Sequence, residues 1–175
     1  MRFTETKIQG TFIIDIDPIT DSRGYFARTW CTKELEARGL DASACQMNLS
    51  SNAKAGTLRG LHYQDEPYAE AKLVRCNKGA IFDVAVDLRP YSKTRYQWIG
   101  VNLDADNHKG LWIPKGCGHG FQSLIDDSEV LYISSTEYCP AAENGAHYAD
   151  PKFNIQWPLA VTEVSEKDRN WPYLQ

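Results

Sequence analysis

Apolar and polar positions alternate with a period near two through most of the chain, the pattern of half-buried strands, whose side chains point to opposite faces in turn. Residues 5–16 alternate loosely and end at Asp15, Ile16, Asp17 and Pro18, which predicts one first strand closed by a turn. Residues 21–24 are turn-like, and residues 25–30 are aromatic and extended. From Lys72 onward, strand-like runs recur as KLVRC, AIFDVAVDLR, RYQWIGVNL, GLWIPKG, HGFQSLI and EVLYISSTEY. Connectors rich in Asn, Asp, Gly and Pro separate them, at residues 77–79, 90–92, 104–107, 114–118 and 126–128. One helix is expected in TKELEARGL, with Thr32 as N-cap, Leu35 and Leu40 at helical spacing, and Gly39 as the stop. The tail after residue 147 carries Pro151, Pro158 and Pro172, so it is expected to wrap the domain irregularly, with one short helix near Ser165. No βαβ alternation, internal repeat or linker-like shift breaks the pattern. The expectation is a single all-β domain over residues 1–175, an antiparallel sandwich or barrel of the jelly-roll type with a few short helices.

The densest chemistry lies in residues 56–72, GTLRGLHYQDEPYAEAK. Simple alternation sends Leu58, Gly60 and His62 one way and Arg59, Leu61 and Tyr63 the other. After the turn signal Asp65-Glu66-Pro67 the chain resumes as a strand, so His62 and Lys72 are expected to face each other across a hairpin-like pair. A lone histidine in a strand is ordinarily a structural residue; its neighbours decide whether this one is more.

At 175 residues the chain is large enough to bury a core without disulfides or metals. Its 42% hydrophobic and 24% charged content excludes disordered and fibrous classes. A net charge of −4 offers no bulk attraction to nucleic acid or to anionic membranes. The N-terminal residues are not expected to form a signal peptide, and no apolar run approaches membrane-spanning length. Five scattered cysteines without a CxxC pair fit reduced thiols of a cytoplasmic protein, with Cys117 beside His119 the best candidate for a nucleophile.

Three constellations carry candidate chemistry. Histidine titrates near neutral pH, so His62 suits a general base, and a carboxylate on its far nitrogen would fix its tautomer; Asp83, Asp87 and Asp168 are each available for that role. Asp83 and Asp87 share a strand face with Ala85, and otherwise belong at the rim, solvated or paired with Arg89. IPKGCGHGF makes a tight turn that sets His119 at the start of a strand pointing inward, and it resembles the second motif of the cupin superfamily. The position two residues after His62 holds Gln64 rather than histidine, so no metal is expected. Arg23, Arg59, Lys72 and Lys167 form a cationic set suited to a diphosphate.

Taken in order, DSRGYF, QMNLS, GTLRGLHYQ, EAKLV, FDVAVDLR, IPKGCGHGF, VLYISSTEY, DPKFNIQWP and SEKD resemble the dTDP-4-dehydrorhamnose 3,5-epimerase family, a cupin-fold group of nucleotide-sugar epimerases, from Gly10 to about Asp168. The resemblance implies an enzyme that deprotonates a nucleoside-diphosphate 4-keto-6-deoxyhexose beside its ketone, without metal or redox cofactor. It implies His62 as base, Asp168 as its carboxylate, Tyr132 as acid and Lys72 as stabiliser of the enolate oxygen. Arg23, Arg59 and His119 would bind substrate, with Gln46, Asn48, Glu143 and Lys167 as further contacts and Tyr138 stacked on the base. It also implies a homodimer that exchanges N-terminal strands. The family pattern carries glutamate where this chain has Arg28, a change that would favour cytosine, with its ring acceptor, over thymine, with its ring N–H. Rival readings are a mono-epimerase, a 4-keto sugar isomerase, or a non-catalytic cupin that binds sugars or nucleotides.

Overall fold

The computed structural model describes residues 1–174. The strands are β1 (Arg2–Glu5), β2 (Phe12–Asp15), β3 (Ile19–Asp21), β4 (Gly24–Phe26), β5 (Gln46–Asn52), β6 (Thr57–Gln64), β7 (Lys72–Lys78), β8 (Ala80–Asp87), β9 (Trp98–Asp104), β10 (Gly110–Ile113), β11 (Cys117–Ser123), β12 (Ser128–Ser134), β13 (Glu143–Gly145) and β14 (Glu163–Val164), joined by helices α1 (Thr32–Glu36) and α2 (Glu166–Arg169). Two sheets face each other, one in the order β1-β2-β10-β7-β12-β5 and the other β13-β6-β11-β8-β9, with β14 added parallel to β6. This is the expected jelly roll.

Alternation explains the layers. From β7, β8, β10 and β12 the residues Val74, Cys76, Ile81, Ala85, Leu111, Ile113 and Val130 fill the space between the sheets. Leu73 and Trp112, one residue out of phase, pack with Phe12, Ile14 and Leu35 of α1 on the outer face of the first sheet. Leu61, Val84 and Val86 do the same on the outside of the second, under Phe153 and Ile155 of the tail. The two six-stranded layers therefore each bury both faces over much of their area.

Three local expectations change. Residues 5–16 are not one strand: Thr6 N–H donates to Thr11 C=O and Thr11 N–H to Ile8 C=O, folding the segment back so that β1 pairs with β2. In α1 the N-cap is Cys31, which makes no side-chain cap, and Thr32 is already helical; Gly39, at φ +69, ends the helix as expected. Third, β6 and β7 are not a hairpin. The turn after Gln64 carries the chain from the second sheet to the first, so His62 and Lys72 look across the interior from opposite walls.

The largest departure from simple alternation is in β6. His119 of β11 is opposite His62, but Phe121 is opposite Arg59, so three residue steps on β6 match two on β11. The extra residue is a bulge, and it puts Arg59 and His62 on the same side of the sheet. Gly60 makes the bulge possible: its φ is +127, and a Cβ there would stand 2.5 Å from the α-carbon of Gly120.

At the far end of β8, Asp87 is fully buried and accepts from Arg89 Nε at 2.9 Å and Nη2 at 2.8 Å, from Ser92 Oγ at 2.5 Å and from Thr94 Oγ1 at 2.7 Å. Burial alone would raise its pKa; these donors outweigh burial and hold it at about 2. A carboxyl depressed in the folded state stabilises fully above the unfolded value of ~3.9 and loses that contribution as pH falls toward about 2. Thermal melts of Asp87→Asn should therefore lie several degrees below the parent at pH 7, and the gap should narrow between pH ~4 and ~2; a constant gap across that window would reject the assignment.

Candidate active site

Between the sheets, a groove opens in three lobes of about 400, 360 and 310 Å³, and His62 lines all three. The central lobe gathers Arg59 and His62 from β6, Lys72 from β7, His119 and Phe121 from β11 and Tyr132 from β12. A second lobe adds Lys167 and Asp168 of α2, and the third adds Gln46, Asn48, Glu70, Tyr138 and Glu143. Cationic and polar side chains from both walls thus converge on one histidine.

His62 Nε2 lies 2.6 Å from Asp168 Oδ1. The carboxylate is 3% exposed and takes two further donors, Gly60 N–H at 3.2 Å and the Trp171 indole at 3.3 Å. Burial would push the Asp168 carboxyl up, but the His62 hydrogen bond and charge and the Gly60 amide lower it instead, so it stays ionised. An ionised acceptor at Nε2 fixes the proton there in the neutral ring and leaves Nδ1 as the basic nitrogen. Ser165, the N-cap of α2, accepts from Asp168 N–H at 3.1 Å and presents the acid at the groove.

The other groups are held as firmly. Lys72 Nζ is 2.7 Å from Glu70 Oε1, and both side chains are 10% exposed. His119 Nε2 is 2.8 Å from Asp83 Oδ1, whose carboxyl is fully buried and pushed up by desolvation. Arg59 Nε donates to Asn52 Oδ1 at 2.8 Å. Burial and the Glu70 charge raise the Tyr132 phenol, so that it keeps its proton at neutral pH. Tyr138 donates its hydroxyl to Glu143 Oε2 at 2.6 Å, and Lys167 pairs with Glu143 Oε1. Hydrogen bonds from Lys167 and Tyr138 overcome burial to keep the Glu143 carboxyl low.

Of the residues named with the family resemblance, all but two line this groove. Arg23 does not: it pairs with Asp21 at 2.5 Å in the β3–β4 hairpin and is 87% exposed. Nor does Arg28, which bonds Glu34 Oε1 at 2.9 Å. Of the rival carboxylates, Asp87 belongs to the Arg89 turn, whereas Asp83 orients His119. Burial lifts the Cys117 thiol to about 12, unsuited to a nucleophile. Asp83 was visible as an inward-facing acid, but its histidine lies 36 residues away. Glu70 and Trp171 gave no signal in the sequence beyond being near Lys72 and Asp168.

A model of the dTDP-4-dehydrorhamnose 3,5-epimerase family matches residues 5–175. A relative of that name from Shigella flexneri is 43% identical, covering 97% of this chain and 94% of its own. The crystal structure of the Bacillus anthracis dTDP-4-dehydrorhamnose 3,5-epimerase with TDP and PPi bound superposes with a TM-score of 0.94 at 39% identity, covering 99% of each chain. A Legionella pneumophila epimerase in complex with dTDP-4-keto-L-rhamnose gives 0.89 at 38% identity, over 95% of this chain and 89% of that one. With the fold and the ordered motifs in agreement with these matches, the chain belongs to the dTDP-4-dehydrorhamnose 3,5-epimerase family.

Proposed function

We propose that this enzyme inverts carbons 3 and 5 of a dTDP-linked 4-keto-6-deoxyhexose in deoxysugar biosynthesis, with His62 as the base. The observation that carries this reading is the pairing of His62 with the buried Asp168 at the meeting point of the groove's three lobes. A ketone at carbon 4 acidifies the C–H bonds on either side of it. His62 Nδ1 removes one of those protons, the electron pair moves onto the carbonyl oxygen, and Lys72 meets the resulting enolate. Tyr132, on the opposite wall and still protonated, then delivers a proton to the other face of the carbon. Charge developing on an oxygen beside a fixed cation in a partly dry groove gains more than it would in water, and loss of one such contact costs about 10²–10³ in rate.

Arg59, His119, Gln46, Asn48, Tyr138, Glu143 and Lys167 are assigned to substrate binding, and no cofactor is invoked. Within one chain Arg28 pairs with Glu34 and is 62% exposed; the base is read as thymine because the matching family and relatives are named for dTDP sugars. The protein is read as cytoplasmic; among the described residues no helix is long and apolar enough to cross a membrane. Arg23 and Arg28 would reach a groove only in a dimer whose N-terminal hairpins exchange. Ile19 and Phe26 of that hairpin are 71% and 73% exposed, and Met47 and Leu49 of the edge strand β5 are 62% and 61% exposed, a surface that a second copy would cover.

In heavy water, NMR of dTDP-4-keto-6-deoxyglucose should show deuterium entering carbons 3 and 5; entry at one carbon alone would reduce the reading to a mono-epimerase, and none at all would leave a binding protein. CDP should compete with the substrate more weakly than dTDP, and the reverse order would overturn the choice of base. His62→Ala should slow exchange at both carbons by about 10²–10⁴-fold, the usual worth of a general base. Tyr132→Phe should impair inversion more than proton loss, and equal impairment would argue against the acid role. Light scattering should find a dimer; a monomer that retains full activity would dismiss the exchanged hairpin.

A further inference from the structure

Three residues beyond Asp168, the chain places a tryptophan against the back of the His62–Asp168 pair. The Trp171 indole N–H donates to Asp168 Oδ1 at 3.3 Å, the same oxygen that meets His62 Nε2 at 2.6 Å. Its ring lies against β13, where Gly145 is opposite His62; a Cβ at Gly145 would fall 2.3 Å from an indole carbon, so the close approach requires glycine. The His62 and Trp171 rings meet edge to face at 6.5 Å. Lys167 Nζ stands 5.8 Å above the indole while pairing with Glu143.

The tail that follows the tryptophan is fixed to the loop after β13. His147 N–H donates to Pro172 C=O at 3.4 Å, the Tyr173 ring stacks on His147 at 4.4 Å, and Leu174 N–H donates to Asp150 Oδ2 at 2.6 Å. An indole with its own backbone anchored in this way is a rigid donor rather than a surface ring that happens to touch a carboxylate.

We infer that Trp171 is a positioning residue for the epimerisation, whose indole N–H shares Asp168 Oδ1 with His62 and thereby sets both the orientation and the basicity of the imidazole. The inference rests on the assignment of His62 and Asp168 as base and partner. Two donors on one oxygen divide its charge between them. Without the indole, Oδ1 would act on the imidazole alone, favour the imidazolium form, and move proton loss from His62 to higher pH. The other ionisable groups around His62 are Arg59 on its own strand, Lys167 of α2, Glu163 of β14, Glu143 of β13, Lys72 and Glu70 beside β7, Tyr132 of β12 and the His119–Asp83 pair of β11 and β8. Tyr63 and Tyr138 complete the set. Of these groups only Lys167, which stands over the indole, meets residue 171 directly, and its pairing with Glu143 does not depend on the ring.

The test is Trp171→Phe, which removes the N–H while keeping a smaller aromatic ring against Gly145, with Trp171→Leu measured beside it in case one of them fails to fold. The acidic limb of kcat/KM for deuterium exchange should move up by about half a pH unit, a roughly threefold change in a proton-dissociation constant. KM at the plateau and dTDP affinity should stay within about twofold. The His62 ring signal in the ligand-free protein should titrate with the same displacement. An acidic limb that stays in place in the folded variant overturns the proposal. Asp168→Asn separates this from the underlying assignment: if it leaves rate and limb untouched, His62–Asp168 is not the working pair, whereas a strong effect there with a static limb in Trp171→Phe rejects the tryptophan alone.

Discussion

The architecture of the groove depends on one close approach, that of the β6 backbone to β11 at Gly60 and Gly120. A side chain at residue 60 would stand 2.5 Å from the Gly120 α-carbon, so two strands can pass there only as bare backbone. The bulge formed at this point has two separate effects. It shifts the parity of β6 so that Arg59 and His62, three residues apart, line one lobe. It also turns the Gly60 N–H out of the ladder, where it binds Asp168 Oδ2 at 3.2 Å. The same irregularity that aims the histidine therefore supplies a docking point for the carboxylate that orients it. Leu61, immediately beyond, returns to the outer layer and exchanges backbone hydrogen bonds with Ala146, which ends the disturbance within two residues.

Around that point, charge is arranged in pairs. Each cationic or basic group at the heart of the groove has its own acceptor: His62 with Asp168, Lys72 with Glu70, His119 with Asp83, Arg59 with Asn52, and Lys167 with Glu143. An unpaired charge in a half-dry cavity would cost several kcal/mol, and a flexible one would have to reorganise when charge develops on a substrate oxygen. Pairing limits both costs. It also separates the groups by protonation state, since Asp168 and Glu143 are held low while Tyr132 and Asp83 are held high. A carboxylate beside a histidine and a protonated phenol across from it can serve as base and acid at one pH.

Much of this was written plainly in the sequence. The alternation from Lys72 to Ser134 marks β7 to β12 because each strand buries one regular face, and residues 114–118 announce the turn that presents His119. The rest depends on partners distant along the chain. Strict alternation sends Arg59 and His62 to opposite faces, because nothing in TLRGLHYQ alone says that β11 will approach closely enough to force a bulge. Thr32 reads as a cap, but Cys31 occupies that position, since the chain enters α1 through a β-region residue whose side chain caps nothing. The pair Glu163–Val164 is too short to carry a period, yet it joins β6 in parallel and delivers α2 to the groove. Asp83 needed His119, Glu70 needed Lys72 and Asp168 needed Trp171, and only folding brings those pairs together.

The jelly roll also bears on why such a groove suits an inversion. Replacing a C–H bond by its mirror partner requires a group on each face of the same carbon. One sheet cannot present both, because side chains on one face of a sheet all approach from the same side. Here His62 stands on the second sheet, and Lys72 and Tyr132 stand on the first, so a flat ring lying between the walls would meet the proposed base on one side and the proposed acid on the other. The cation lies on the same wall as the phenol, near enough to Glu70 to be fixed before any substrate arrives. The crossing from β6 to β7 at residues 65–71, where the chain leaves one sheet for the other, is thus the step that turns a run of neighbouring residues into two opposed halves of a reaction site.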